Sequence, residues 1–210
     1  LLAVAPGEEE ADALARDLAF FLGAPAEGGA PPVLRVPADP VLPYDDLSPD
    51  RGLEMERLAA LARLHLDPAG VRCAVVSARA LARRMVPRAV FERHTDLLGK
   101  GVAVDREALA ARLVSIGYAR APLVEAPGTF AVRGGIIDLW SPAAERPVRL
   151  ELFGDEIETA RAFDPEGQRT LGEVDEVVVV PAREALFTGE AREAAKAAVR
   201  EAAERVDRPT

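Results

Sequence analysis

The sequence predicts an α/β protein in which a parallel strand–helix layer gives way, near residue 95, to an antiparallel β-rich α+β module and then to a terminal helix. Three observations predict it. Over the first 85 residues, short apolar runs alternate with amphipathic stretches, the pattern of a parallel sheet covered by helices. Between residues 118 and 181 the spacing changes to strand-like runs separated by Gly-Gly, Ser-Pro, Gly-Asp and Asp-Pro turn signals, as in an antiparallel sheet. Residues 190–206 return to an Ala-rich helical pattern, and no internal repeat is present.

The chain opens without Met on the apolar run Leu1–Ala5, which reads as a buried first strand and as part of a longer protein. Pro6-Gly7 turn the chain. Residues 8–22 read as a helix, with Glu8, Glu9 and Glu10 in the first turn, where the helix dipole favours acids. Leu14, Leu18, Phe21 and Leu22 recur along it at helical spacing. Residues 23–32, rich in Gly, Ala and Pro, read as loop, and Val33–Val36 as a second strand. The stretch 37–50 holds four prolines and reads as irregular. A helix over 51–66 carries Leu53, Leu58, Leu61 and Leu64. Arg72–Ser77 is a continuous apolar run, as in a strand covered on both faces, and a helix over 78–85 follows it.

Past residue 95, a short strand around Asp96–Leu98 leads to a well-marked helix. Asp105 is its expected N-cap, Gly117 its C′ residue, and Leu109, Leu113 and Ile116 line one face. Strands are expected at Phe130–Arg133, Ile136–Trp140, Val148–Phe153, Glu156–Phe163 and Val177–Val180. The two-residue loop Gly154-Asp155 fits a II′ or I′ hairpin turn, which sets Phe153 opposite Glu156 and Leu152 opposite Ile157. Period two then sorts the strand. Val148, Leu150 and Leu152 point to a core face with Ile157 and Thr159, while Arg149, Glu151 and Phe153 point the other way beside Glu156 and Glu158. With Phe130 and Val132 inward, Arg133 also faces outward. Two readings of this second face stay open. Either the helix over 105–116 covers it and Phe153 is core, or the face is exposed and its aromatic flanked by arginine marks a protein interface.

Composition narrows the function. Of 210 residues, 35 are acidic and 26 basic, a net charge of −9, which argues against a chain whose main task is to coat a phosphate backbone. The stretch 95–182 is itself acidic, with 15 acids against nine bases, which suits a protein partner better than DNA. The basic residues are 24 arginines and two lysines, a lopsidedness that reads as codon bias. The single cysteine, Cys73, can form no intrachain disulfide, which points to a reducing, cytoplasmic compartment. One Cys and two His cannot build a Cys/His zinc site. No apolar run approaches the roughly 20 residues that cross a bilayer, and no signal-peptide pattern opens the chain. Gly99-Lys100 is followed by Gly101 and preceded, at the position of the leading P-loop glycine, by His94, so no phosphate-cradling P-loop is present. No GxGxxG, GxSxG or HExxH motif occurs either, and no cofactor is expected.

The stretches FAVRGGIIDLWSP (130–142), PVRLELFGDEIETARAFDPEGQRTL (147–171) and VPAREAL (180–186) closely resemble the amino-terminal region of the Mfd family, the bacterial transcription-repair coupling factors. LPYDDLSPDRGLEMERLAAL (42–61) and VVSARALARRMVP (75–87) resemble it too. The excision-repair helicase UvrB shares this region, with a similar pattern in its second domain. The resemblance implies a degenerate helicase-like domain 1a over 1–94, an inserted domain 2 over 95–182, and the helical start of domain 1b over 183–210. It implies that domain 2 docks UvrA and that the family's binding residues fall on Arg133, Arg149 and Phe153. It also implies that the ATP-driven motor, and the contacts to RNA polymerase and double-stranded DNA, lie in other domains, one of which holds the docking face until the motor engages. Two departures separate this chain from UvrB, the missing P-loop and the shortness of 37–50; the second, where UvrB inserts a Tyr-rich hairpin and this chain has only Tyr44, decides for Mfd. The expected function is a non-catalytic interaction region that recruits UvrA to stalled RNA polymerase. The rivals are a fragment of UvrB or a related helicase that binds nucleotide and DNA, and a purely structural domain that shields the motor.

Overall fold

The computed structural model describes residues 1–23, 31–39, 41, 50–186 and 189–206. Most of the loop expected over 23–32 lies outside the described residues, as does most of 37–50, Tyr44 included. The first part is a three-stranded parallel sheet. Its strands β1 (Leu2–Ala5), β2 (Val33–Val36) and β3 (Cys73–Ser77) lie in the order β1-β3-β2, connected through helices α1 (Glu8–Leu22) and α2 (Arg51–Leu66). α1 covers one face, packing Ala11, Leu14, Leu18 and Leu22 on Ala5, Cys73 and Val75. α2 covers the other, setting Ala60 and Leu64 against Leu34, Val36 and Val76.

Two sequence expectations fail here for reasons of position. β1 is an edge strand that α2 does not reach, so it is buried on one face only, and Leu2 and Val4 are half exposed. Phe21 is exposed rather than core, because the buried stripe of α1 follows Leu14, Leu18 and Leu22 at strict four-residue steps and leaves Phe21 beside it with Phe20. The helix expected over 78–85 is also shorter. α3 (Ala78–Ala82) starts on Ser77, whose hydroxyl accepts the Ala80 N–H at 2.9 Å, and stops before Val86-Pro87. Arg83 already has extended backbone (φ −78°, ψ 136°), and a second helix, α4 (Arg88–Arg93), begins after Pro87.

The second part begins with β4 (Asp96–Gly99) and α5 (Arg106–Ser115). Asp105 caps α5, accepting the Ala108 N–H at 2.7 Å. At its other end Gly117 is the C′ residue, with φ 99°, and the Gly117 and Tyr118 N–H groups bond the Val114 and Leu113 carbonyls at 3.1 and 3.0 Å, a Schellman motif. Strands β5 (Ala119–Arg120), β6 (Thr129–Arg133), β7 (Ile136–Leu139), β8 (Val148–Phe153), β9 (Glu156–Phe163) and β10 (Thr170–Glu173) form one sheet in the order β10-β9-β8-β7-β6-β5, antiparallel except for β5 beside β6. β5 and β10 are exposed and carry no apolar alternation, which is why periodicity did not reveal them. β11 (Glu176–Val179) returns to pair with β4. α6 (Gly189–Val206) follows, its described side chains exposed.

One cluster holds the two parts together. α5 lays Leu109, Ala110, Leu113 and Ile116 on Phe130, Ile137, Leu139, Leu150 and Ile157 of the larger sheet. The same cluster takes in Met55, Leu58 and Leu61 of α2 and Phe91 of α4. α2 is therefore apolar on two sides, one toward the parallel sheet and one toward the β-rich module. Polar bonds flank this junction: buried Arg57 donates to Glu184 at 2.7 Å and to the Pro37 carbonyl at 2.6 Å, and the Ala182 N–H bonds the Ile116 carbonyl at 2.9 Å.

Candidate protein-docking face

The larger sheet has two faces, and α5 covers only the one that carries Phe130, Ile137 and Leu150. The other face holds Arg133, Arg149 and Phe153, and of the two readings the sequence left open, exposure is the one observed: Phe153 is 80% exposed. The turns that set this register use glycine where the backbone demands it. Gly134 and Gly154 have φ of 57° and 62°, while Gly135 and Asp155 do not have positive φ, so both hairpins take the II′ form. Phe153 stands opposite Glu156 and Leu152 opposite Ile157, as the two-residue loop requires.

The register then shifts. A bulge at Glu158 sets Thr159 opposite Glu151 instead of on the core face, and the Thr159 hydroxyl donates to Glu151 at 3.0 Å. The expectation that Thr159 lies on the core face is thereby corrected, because one extra residue in β9 reverses the alternation beyond it. The bulge also brings Arg161 and Phe163 to the outward face. Arg161 pairs with Glu151 at 3.2 Å, and the Arg149 guanidinium lies 4.9 Å from the centre of the Phe163 ring.

Four strands thus place Ala131, Asp138, Arg149 and Arg161 side by side in one row. Asp138 is completely buried. It accepts Nε and Nη2 of Arg149 at 2.7 and 2.9 Å, and Nη2 of Arg133 at 2.6 Å. These hydrogen bonds hold the Arg149 guanidinium above its ordinary pKa against the opposing effect of burial, with the charges of Asp138 and Glu151 adding to it. The Arg149 side chain is 20% exposed and that of Arg133 49%. The aromatic beside Arg149 is Phe163, buried with Val124 and Ala131, whereas Phe153 stands at the hairpin end of β8. Beside Phe153 a shallow depression of about 210 Å³ is lined by Lys100, Glu156, Ile157 and Glu158.

The three residues expected from sequence therefore share one face but not one environment: two arginines fixed on a buried carboxylate, and a free aromatic beyond them. Asp138 was missed. Its signal was present in the strand IIDL, where a lone acid faces the same way as Arg133 and Arg149.

A sheet face with held arginines and a solvent-exposed aromatic has the makeup of a protein-interaction surface. Residues 97–184 match the UvrB interaction domain family. The chain is 51% identical over its whole length to the transcription-repair-coupling factor of Myxococcus xanthus. Those of Mycobacterium bovis and Escherichia coli are 38% and 37% identical over 91% and 68% of it. The chain belongs to this DNA-repair family, as a region that carries its UvrB interaction domain. It spans only 12–17% of the length of these relatives. Among the described residues no helix is long and apolar enough to cross a membrane.

Proposed function

We propose that this region recruits UvrA through the outward face of the larger sheet, and that in the complete protein it links UvrA to an RNA polymerase stalled on DNA. The observation that carries the reading is Phe153, a large aromatic 80% exposed at the end of a rigid strand, on the face that holds Arg133 and Arg149. Phe153 supplies apolar contact area, and the arginines supply charge-assisted hydrogen bonds to acids or carbonyls of the partner. Glu151, Glu156 and Glu158 add negative charge that steers a basic partner surface on approach. The region itself does no chemistry on this reading. The motor, its ATP site and the contacts to polymerase and double-stranded DNA belong to the rest of the protein, and a neighbouring domain covers the docking face until the motor engages.

Titration of this chain with UvrA tests the proposal. Arg149→Ala and Phe153→Ala are each expected to weaken binding by at least roughly 1–2 kcal/mol, as interface hot spots do. Unchanged affinity in both variants, with circular dichroism showing both folded, overturns the site assignment. Tight, salt-sensitive binding of single-stranded DNA by the same chain would favour a helicase fragment instead.

A further inference from the structure

We infer that Asp138 is the positioning residue of this docking face: buried beneath it, out of reach of any partner, it holds Arg133 and Arg149 so that their free edges form a receptor for one partner carboxylate. The inference rests on the docking reading above and adds to it the residue that organises the site and the partner group it selects.

Three observations carry it. Asp138 has no solvent exposure, yet both its oxygens are engaged by guanidinium groups from two other strands, at 2.6, 2.7 and 2.9 Å. A carboxylate placed so deep is costly unless paired, and here one carboxylate serves two arginines and leaves one net positive charge facing outward. The second observation is the geometry of what remains. Asp138 engages Nε and Nη2 of Arg149 and one Nη of Arg133, so Nη1 of Arg149 and the Nε and Nη1 donors of Arg133 lie outside this clamp. Third, the Arg149 guanidinium also lies over the Phe163 ring, 4.9 Å from its centre, which limits the rotamers it can adopt. A partner carboxylate therefore meets planar donors already oriented, and little side-chain freedom is left to lose on binding.

Asp138→Asn separates this from simple charge counting. The change removes a negative charge from beneath the face, so electrostatics alone would tighten the grip on a carboxylate. A lost clamp weakens it. The expected result is at least about tenfold weaker UvrA binding by calorimetry, with the circular dichroism spectrum retained. In the Arg149→Ala background, where Arg133 still pairs with Asp138, the same substitution should cost less affinity than in the native chain, because Asp138 acts through those side chains; a merely structural role would lower it equally in both. Equal or tighter binding by folded Asp138→Asn overturns the inference. Should that variant not fold, Arg149→Lys decides, since it keeps the charge and loses the two-point grip: wild-type affinity there overturns the inference equally. Failure of the unaltered chain to bind UvrA would instead strike the docking reading itself.

Discussion

Glu8 stands in the first turn of α1, at the carboxyl ends of the parallel strands, where α/β layers that bind nucleotides receive a phosphate. Here the chain fills the position with its own anion. The Glu8 carboxylate accepts from Arg35 at 2.6 Å and from the Ala38 N–H at 3.0 Å. Burial opposes its ionisation, but hydrogen bonds from Ser77, Ala38 and Arg35 outweigh burial and hold its pKa below the ordinary 4.5. A carboxylate with a depressed folded pKa adds stability that is full above the unfolded value and lost as the pH falls through the folded one. The melting temperature of the native chain should therefore exceed that of Glu8→Gln at neutral pH, and the difference should close as the pH drops below 4.5. A constant difference from pH 7 to pH 3 would show that the substitution acts through packing rather than charge. The anchoring of Glu8 was not legible in the sequence, because it depends on Arg35 and Ser77 arriving from β2 and β3.

At the scale of elements, the β8–β9 hairpin shows how far local chemistry reaches. The Gly154-Asp155 loop announced both the turn and its pairing, and the strand faces of Arg133, Arg149 and Phe153 followed from period two. The bulge at Glu158 was not announced, since nothing in ELFGDEIETA distinguishes an extra residue from a continuous strand. Asp138 was legible only in part: period two puts an acid on the face of Arg133 and Arg149, but its burial between them depends on the register. Helix ends obeyed the same rule. Asp105 and Gly117 marked α5 by cap chemistry alone, whereas no cap residue in the sequence marks Arg83, where α3 ends. The hairpin offers a direct check. Gly154 has φ 62°, with nothing within 4 Å of an added Cβ, so Gly154→Ala meets only backbone strain and should cost about 1–2 kcal/mol. Gly172, equally open and without a positive φ, should accept Ala with a change within about 0.5 kcal/mol. Urea unfolding of both variants measures the contrast, and equal costs would refute the II′ assignment.

The whole molecule is larger than its family domain in one physical sense. The UvrB interaction domain spans 97–184, but the core that supports its sheet includes Met55, Leu58 and Leu61 of α2 and Phe91 of α4, outside that range. The flanking layer is thus part of the support beneath the larger sheet, not a separate body beside it. A core continuous across both parts predicts that they unfold together. Two native reporters sit on opposite sides of the junction. Cys73 is buried in β3 of the parallel layer, and Trp140, the only tryptophan, lies in the β-rich module with its indole N–H on the Ala144 carbonyl at 3.0 Å. Thiol reactivity of Cys73 and fluorescence of Trp140, followed through one denaturant titration, should give the same midpoint. Leu58→Ala, which empties a fully buried position in the shared cluster, should lower both midpoints together, by a stability loss of about 2–5 kcal/mol. Exposure of Cys73 while Trp140 keeps its native signal would mean that the layer melts alone, and that the contacts of α2 with the module do not bind the two into one cooperative unit.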